Sequence, residues 1–219
     1  MPLKFHSLAI KERKKYGIIS IRQFSECEDI KVKEKITGQS IRLFEKKGFS
    51  ETSIQDIVDS LGVTKGTFYY YFSSKEELLM DIHLGYIEGL LVLQETILKD
   101  QSKSCKEKLF EIVYMLLSDI KARGSAAKIF FREMKNLSAE HFAMIDPKRD
   151  QFRYNVEGLI KAGMENGEFR PDLTTSIITF GILGITNWSY QWFNPNGSVS
   201  DREVAEIFVE MILQGIQLR

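Results

Sequence analysis

Apolar residues recur at spacings of three and four along most of the chain, the signature of helices that bury one face. Proline stands only at Pro2, Pro147, Pro171 and Pro195, so residues 3–146 lack the strongest helix breaker. Residues 33–47 place Ile36, Ser40, Leu43 and Phe44 on one face, and Gly48 suits a left-handed C-terminal cap. Thr52 and Gln55 have capping-box spacing and open a short helix with Ile54, Ile57 and Val58 inward, ending before Leu61 and Gly62. Thr64 caps a second short helix over residues 65–72. Ser74 and Glu77 form another capping box, starting a long helix that carries Leu78, Leu79, Ile82, Tyr86, Leu90 and Leu93 at helical period. Further helices are predicted over 105–121, 126–136, 150–166, 174–193 and 201–218, with breaks at Gly124, Pro147, Pro171 and the 194–197 turn. The fold class is all-α. Residues 1–30 are basic with weak periodicity and read as an arm or an extra helix.

The segment 53–72 has two short helices joined by a tight turn containing glycine, which is helix-turn-helix spacing. Such a unit presents the N-terminal end of its second helix to base edges in the major groove. Lys65 and Thr67 supply donors near that helix start, Gly66 permits close approach, and Tyr69, Tyr70 and Tyr71 place hydroxyls at the rim. Lys75 follows at the next helix start, in reach of phosphate. The alternative is a plain helical corner that buries three tyrosines and Phe72.

Composition narrows the choice of partner. The 219 residues are 43% hydrophobic, enough for a core, and the formal net charge is zero. That balance is uneven: residues 1–75 carry a net +5 and residues 76–219 a net −5, so the front third is the part suited to phosphate. The apolar run 177–185 is broken by Thr and Gly and is too short to span a bilayer, and the basic cluster Lys11, Arg13, Lys14 and Lys15 is not followed by a signal-peptide pattern. Cys27 and Cys105 lie far apart without further ligands nearby, which suits a reducing cytoplasm. Thr64-Lys65-Gly66-Thr67 lacks the upstream glycine of a phosphate loop, and His6, His83 and His141 are isolated. No catalytic residue, metal site or cofactor is expected.

The run 33–79, with Phe44, Lys47-Gly48-Phe49, Thr52-Ser53-Ile54, Asp56-Ile57, Leu61 through Phe72 and Ser74 through Leu79, resembles the DNA-binding head of TetR-type regulators. Gly38 and Gln39 depart from that pattern, the glycine at a helix-propensity cost of about 1 kcal/mol. The resemblance implies a basic extension (1–30), a helix-turn-helix domain (31–76) and a ligand-binding and dimerisation domain (77–219). It also implies a homodimer on an inverted-repeat operator. Gln55, with Thr52 and Ser53, would touch DNA from the second helix, Thr64, Lys65 and Thr67 would read the groove, and Tyr69, Tyr71 and Lys75 would anchor phosphates.

The stretch 149–218, with Asp150-Gln151-Phe152-Arg153, Phe169-Arg170-Pro171-Asp172-Leu173 and Gly184 through Phe193, is similar to a TetR subgroup that senses acyl-CoA thioesters. An apolar slot from Phe130, Phe131, Met134, Phe152, Val156, Tyr190 and Trp192, with Arg132, Arg149 and Arg153 for phosphates, would suit such an effector. Alternatively these aromatics are bundle core and the arginines a solvated face. Ile177, Gly181, Gly184 and Trp188 form one helical stripe, and Val204, Phe208, Met211, Ile212 and Gly215 another. The two stripes are predicted to meet their copies in a four-helix dimer interface, unless the glycines serve packing within the chain. Against a ligand-responsive repressor stand a multidrug-type sensor, an architectural or protein-interaction role, and a small-molecule carrier.

Overall fold

The structure, a computed structural model, describes residues 21–216; residues 1–20 of the expected extension lie outside them. Eight α-helices follow in order: α1 Ile21–Lys47, α2 Ile54–Leu61, α3 Lys65–Tyr71, α4 Lys75–Lys99, α5 Cys105–Arg132, α6 Ala139–Glu165, α7 Thr175–Trp192 and α8 Asp201–Ile216. A 3₁₀ turn, Met134–Asn136, joins α5 to α6.

Two cores organise these helices. In the head, α1, α2 and α3 close around Ile36, Phe44, Ile57, Val58, Phe68 and Phe72. The start of α4 adds Leu78, Leu79 and Ile82 to the same cluster, and α5 contributes Ile129. The larger core lies among α4 to α8, where Leu109, Ile112, Val113 and Leu117 of α5 pack against Val156 and Ile160 of α6, Ile182 of α7 and Ala205 of α8.

Several local expectations are corrected. α1 reaches back to Ile21, so the end of the basic segment expected as an arm or an extra helix belongs to the first helix itself. Ser53, not Thr52, is the N-cap of α2, and Asp56 rather than Gln55 completes the capping box. The reason is that Thr52 is fully buried and its hydroxyl donates to the Gly48 carbonyl at 2.8 Å, which holds the turn instead of the helix. Ser74 caps α4 as expected, but the Glu77 carboxylate accepts from the Ser73 amide at 2.6 Å, one residue earlier.

The break expected at Gly124 is a kink inside one helix, centred on Arg123 (φ −134°, ψ 31°). Arg123 is held there by Asp119 at 2.7 Å and by stacking on Tyr86 at 4.9 Å. Likewise Pro147 does not start a helix but lies within α6, which begins at Ala139 under a Ser138 cap. Proline removes one backbone donor there, and the helix continues because Ile145 just before it and Phe152 just after it are both buried in the core.

α6 ends through Gly167 (φ +74°), with the Glu168 and Phe169 amides donating to the Gly163 carbonyl at 2.8 and 3.0 Å. That closure folds the fully buried Phe169 ring onto Gly163, where a Cβ would lie 2.2 Å from the ring. Gly163→Ala must therefore displace Phe169, and a loss of about 1–3 kcal/mol is expected, read as a lower Tm in thermal unfolding.

Candidate nucleic-acid interface and effector cavity

The second short helix of the head is presented by two caps and an aromatic anchor. Asp56 accepts from the Ser53 amide at 2.8 Å and from Lys47 at 3.0 Å, and its carboxyl is held far below the usual range, chiefly by the Ser53 hydroxyl and then by that amide. Gly62 (φ +66°) then turns the chain so that only Gly62, Val63 and Thr64 separate α2 from α3. Thr64 caps α3 by accepting from the Thr67 amide at 3.1 Å. Within α3, Phe68 is fully buried, and its neighbour Phe72 closes the helix end. Their burial leaves Lys65, Gly66, Tyr69 and Tyr70 on the surface with Thr67 at its edge, so α3 is not a corner with three buried tyrosines.

Other expected contact residues divide by placement. Ser53, Thr64 and Gln55 are exposed, with Gln55 donating to Asp59 at 2.6 Å. Thr52 faces the interior. Tyr71 is half-buried and donates to Asp29 at 3.2 Å, and burial followed by that carboxylate pushes its phenol up. Lys75 has a different job from the one expected. Its ammonium donates to the carbonyls of Phe49 (2.7 Å), Ser50 (3.4 Å) and Thr52 (2.6 Å) and sits 4.3 Å over the Phe49 ring. It therefore locks the α1–α2 turn, and burial pulls its pKa down.

In the larger domain, a mainly apolar cavity of about 470 Å³ lies between α4, α5, α6 and α7. Phe130, Phe131, Phe152, Arg149 and Arg153 line it as expected, joined by Leu116 and Asn187, which no sequence pattern singled out. The other expected lining residues lie elsewhere. Val156 is core, Met134 belongs to the 3₁₀ turn, and Arg132 donates to Gln191 on the surface at 2.6 Å. Trp192 is 51% exposed against Phe193 and Phe208. Tyr190 stacks on Phe131 at 4.8 Å and lines a separate small void of about 20 Å³ with Tyr86, Ile120 and Ala127. A groove at the head junction, which also has Ile120 and Tyr190 in its wall, carries Arg42, Lys121 and Lys128.

The outer face of α7 carries Ile177 (68% exposed), Phe180, Gly181, Gly184 and Trp188 (61%). A Cβ on Gly181 or Gly184 would meet nothing within 4 Å, so these glycines do not serve packing within the chain. On α8, Met211, Gly215 and the unanticipated Ile207 face outward, and Phe208 and Ile212 are half-buried. Val204, expected in the same stripe, is instead 4% exposed in the core of the chain itself.

A capped helix-turn-helix joined to a larger helical domain with a mainly apolar, partly open cavity points to a transcription regulator. Residues 36–82 match the family described as bacterial regulatory proteins, tetR family, and residues 102–216 match the tetracyclin repressor-like C-terminal domain. The chain belongs to the TetR family and is a transcriptional repressor, not an enzyme. It is 31% identical over 178 residues to the HTH-type transcriptional repressor KstR2 of Rhodococcus jostii RHA1, covering 80% of this chain and 85% of that protein. The solved ketosteroid regulator KstR2 of Mycobacterium tuberculosis superposes with a TM-score of 0.77 at 25% identity, over 85% of this chain and 95% of that one. AibR, solved in complex with isovaleryl coenzyme A and operator DNA, shares the fold with a TM-score of 0.75 at 24% identity, over 82% of this chain and 97% of that one. Among the described residues no helix is long and apolar enough to cross a membrane.

Replacing Lys75 by methionine removes the donor shared by three turn carbonyls. A loss of about 1–3 kcal/mol is expected, with faster amide exchange confined to residues 48–53 as the accompanying sign.

Proposed function

We propose that the protein binds an inverted-repeat operator as a dimer, that α3 reads the major groove, and that an acyl-CoA thioester releases it. The observation that carries the DNA half is α3 itself: a seven-residue helix pinned by Phe68 that turns Lys65, Gly66, Tyr69 and Tyr70 outward at the basic end of the chain. Lys65 and Thr67 read bases, and Tyr69 and Tyr70 hold phosphates on either side. Gln55, Ser53 and Thr64 flank them. Thr52, Tyr71 and Lys75 act indirectly, by fixing the head that carries the helix.

The dimer half rests on the α7 stripe. Five largely exposed positions on one helix face, two of them glycines, form a surface that water disfavours and a second copy can cover. Met211, Ile212, Phe208 and Gly215 of α8 extend it. Gly184 also borders the cavity, so Gly181 is the cleaner probe.

The effector half is supported by the mainly apolar cavity, whose wall also carries Arg149 and Arg153, a combination suited to an apolar acyl group with a polar end. AibR, the relative of like fold, was solved with isovaleryl coenzyme A. At the groove, Glu45 of α1 accepts from Lys128 at 2.8 Å and from Ser125, both on α5 just after the kink. A phosphate drawn to Lys128 competes with Glu45 and loosens this polar tie between α1 and α5. A hundredfold loss of operator affinity needs about 2.7 kcal/mol of such coupling.

Fluorescence titration of operator DNA tests the whole scheme. Lys65→Ala with Thr67→Ala should cost about 1–3 kcal/mol on the preferred site with Tm unchanged, and unchanged affinity would remove α3 as the reader. Gly181→Leu should shift sedimentation toward monomer, and a fully dimeric variant would place the interface elsewhere. CoA thioesters should release the operator complex. Release by hydrophobic cations alone would instead favour a multidrug-type sensor, for which Asp146 in the cavity wall offers a counter-charge.

A further inference from the structure

The cavity holds two arginines, and the protein treats them differently. Arg153 is fully engaged: Asp150 accepts from it at 2.9 Å, Glu157 lies 3.5 Å away, and the guanidinium covers Tyr154 at 4.0 Å. Arg149 is not. Its Nη1 is buried with no hydrogen-bond partner among the described residues. What positions it is stacking, since the guanidinium lies 4.7 Å from the centre of the Phe130 ring. That ring is fixed in turn by Tyr86 at 4.9 Å and His83 at 5.5 Å. Asp146 attracts Arg149 from a distance without an ion-pair contact.

A cation held by an aromatic face, with a buried donor left over, is costly in the free protein and pays only when an oxygen reaches it. We propose that Arg149 selects the effector, by donating to an anionic or carbonyl oxygen carried at the polar end of an otherwise apolar ligand. This rests on the reading of the cavity as the effector site and adds the chemistry required there. The class is a carboxylate or a thioester carbonyl, and the shared feature is an acceptor oxygen next to an alkyl chain. A carboxylate gains paired charge-assisted bonds from a planar guanidinium. An alcohol gains less, and a quaternary ammonium head has no acceptor oxygen for Arg149 to bond.

The same geometry separates a selecting residue from a structural one. Removing a structural arginine lowers stability, whereas replacing a half-buried cation whose Nη1 lacks a partner by an apolar side chain relieves the ligand-free protein. Arg149→Met is therefore expected to raise the Tm of the ligand-free protein by about 2–4 °C.

The test uses the full chain and four probes of one chain length: dodecanoate, dodecanoyl-CoA, dodecanol and dodecyltrimethylammonium. Binding is read by calorimetry and release by operator titration. The unmodified protein should bind dodecanoate, dodecanoyl-CoA or both about 10- to 100-fold tighter than dodecanol, and the comparison of those two tells a free acid from a thioester. Arg149→Met should erase the preference, and Arg149→Lys should restore part of it. Equal binding of all four probes, or a preference that survives in Arg149→Met, would overturn the role of Arg149 while leaving the cavity as an effector site. A lowered Tm in Arg149→Met with the preference intact would make the residue structural. No binding by any of the four would remove the cavity reading, and this proposal with it.

Discussion

The structure depends on α4 serving two cores at once. Its first turns place Leu78, Leu79 and Ile82 among the aromatics of the head, and its middle places Tyr86, Ile87 and Leu90 in the larger domain. Close packing leaves little slack along such a helix, because buried side chains at native density cannot shift singly. A displacement at Tyr86 or Leu90 is therefore carried to Leu79 and so to Phe68, the residue that seats α3. Ile129 of α5 enters the head core from the other side and makes a second rigid connection.

Polar contacts around these two connections are of a kind that can be traded. Lys33 reaches Asp81 at 2.7 Å, the Glu76 carboxylate accepts from the Ser138 amide at 2.7 Å, and Glu45 takes both Ser125 and Lys128. Each partly exposed ion pair contributes modestly on its own, since solvent screens it. Their common feature is position, because all of them join the head or the start of α4 to a neighbouring element. The Arg123 kink sits beside the Glu45 contacts, where Arg123 bonds Asp119 and occupies the space next to Gly89, 2.8 Å from where a Cβ would stand. Burial first, and then Asp119, holds the Tyr86 phenol protonated well beyond ordinary pH. A buried polar cluster of this type tolerates few arrangements, which suits a helix that must bend at one point.

Two regions leave the surface of the chain energetically unfinished, and they adjoin along the same helix. The inner side of α7 packs Ile182 and Leu183 and satisfies the buried hydroxyls of Thr179 and Thr186 on carbonyls one turn back, at 2.9 and 2.8 Å. Its outer side leaves large apolar residues in water, and Phe180 and Gly184 belong to both the outer stripe and the cavity wall. Covering the stripe and filling the cavity would thus act on neighbouring residues.

The sequence by itself determined the elements whose causes are local. Helical period, the Gly48 and Gly62 turns, and the Thr64 and Ser74 caps all depend on residues within a few positions, so α2, α3 and the start of α4 were legible, as was the outward glycine stripe of α7. Only tertiary structure decided what depended on distant partners. The capping role passed from Thr52 to Ser53 because Thr52 was drawn inward. Lys75 is engaged by carbonyls more than twenty residues away, and Val204 went to the core rather than the surface stripe. The Gly124 and Pro147 breaks became a kink and a continuous helix because packing outweighed local propensity. Arg149 and Arg153 stand four residues apart on one helix, yet their surroundings have different origins. Asp150 and Glu157 lie three and four residues from Arg153 on its own helix, so that pairing follows from spacing along the chain. The Phe130 ring under Arg149 belongs to another helix, and only the packing of α5 against α6 could bring it there, because contacts between helices are not encoded by spacing within one.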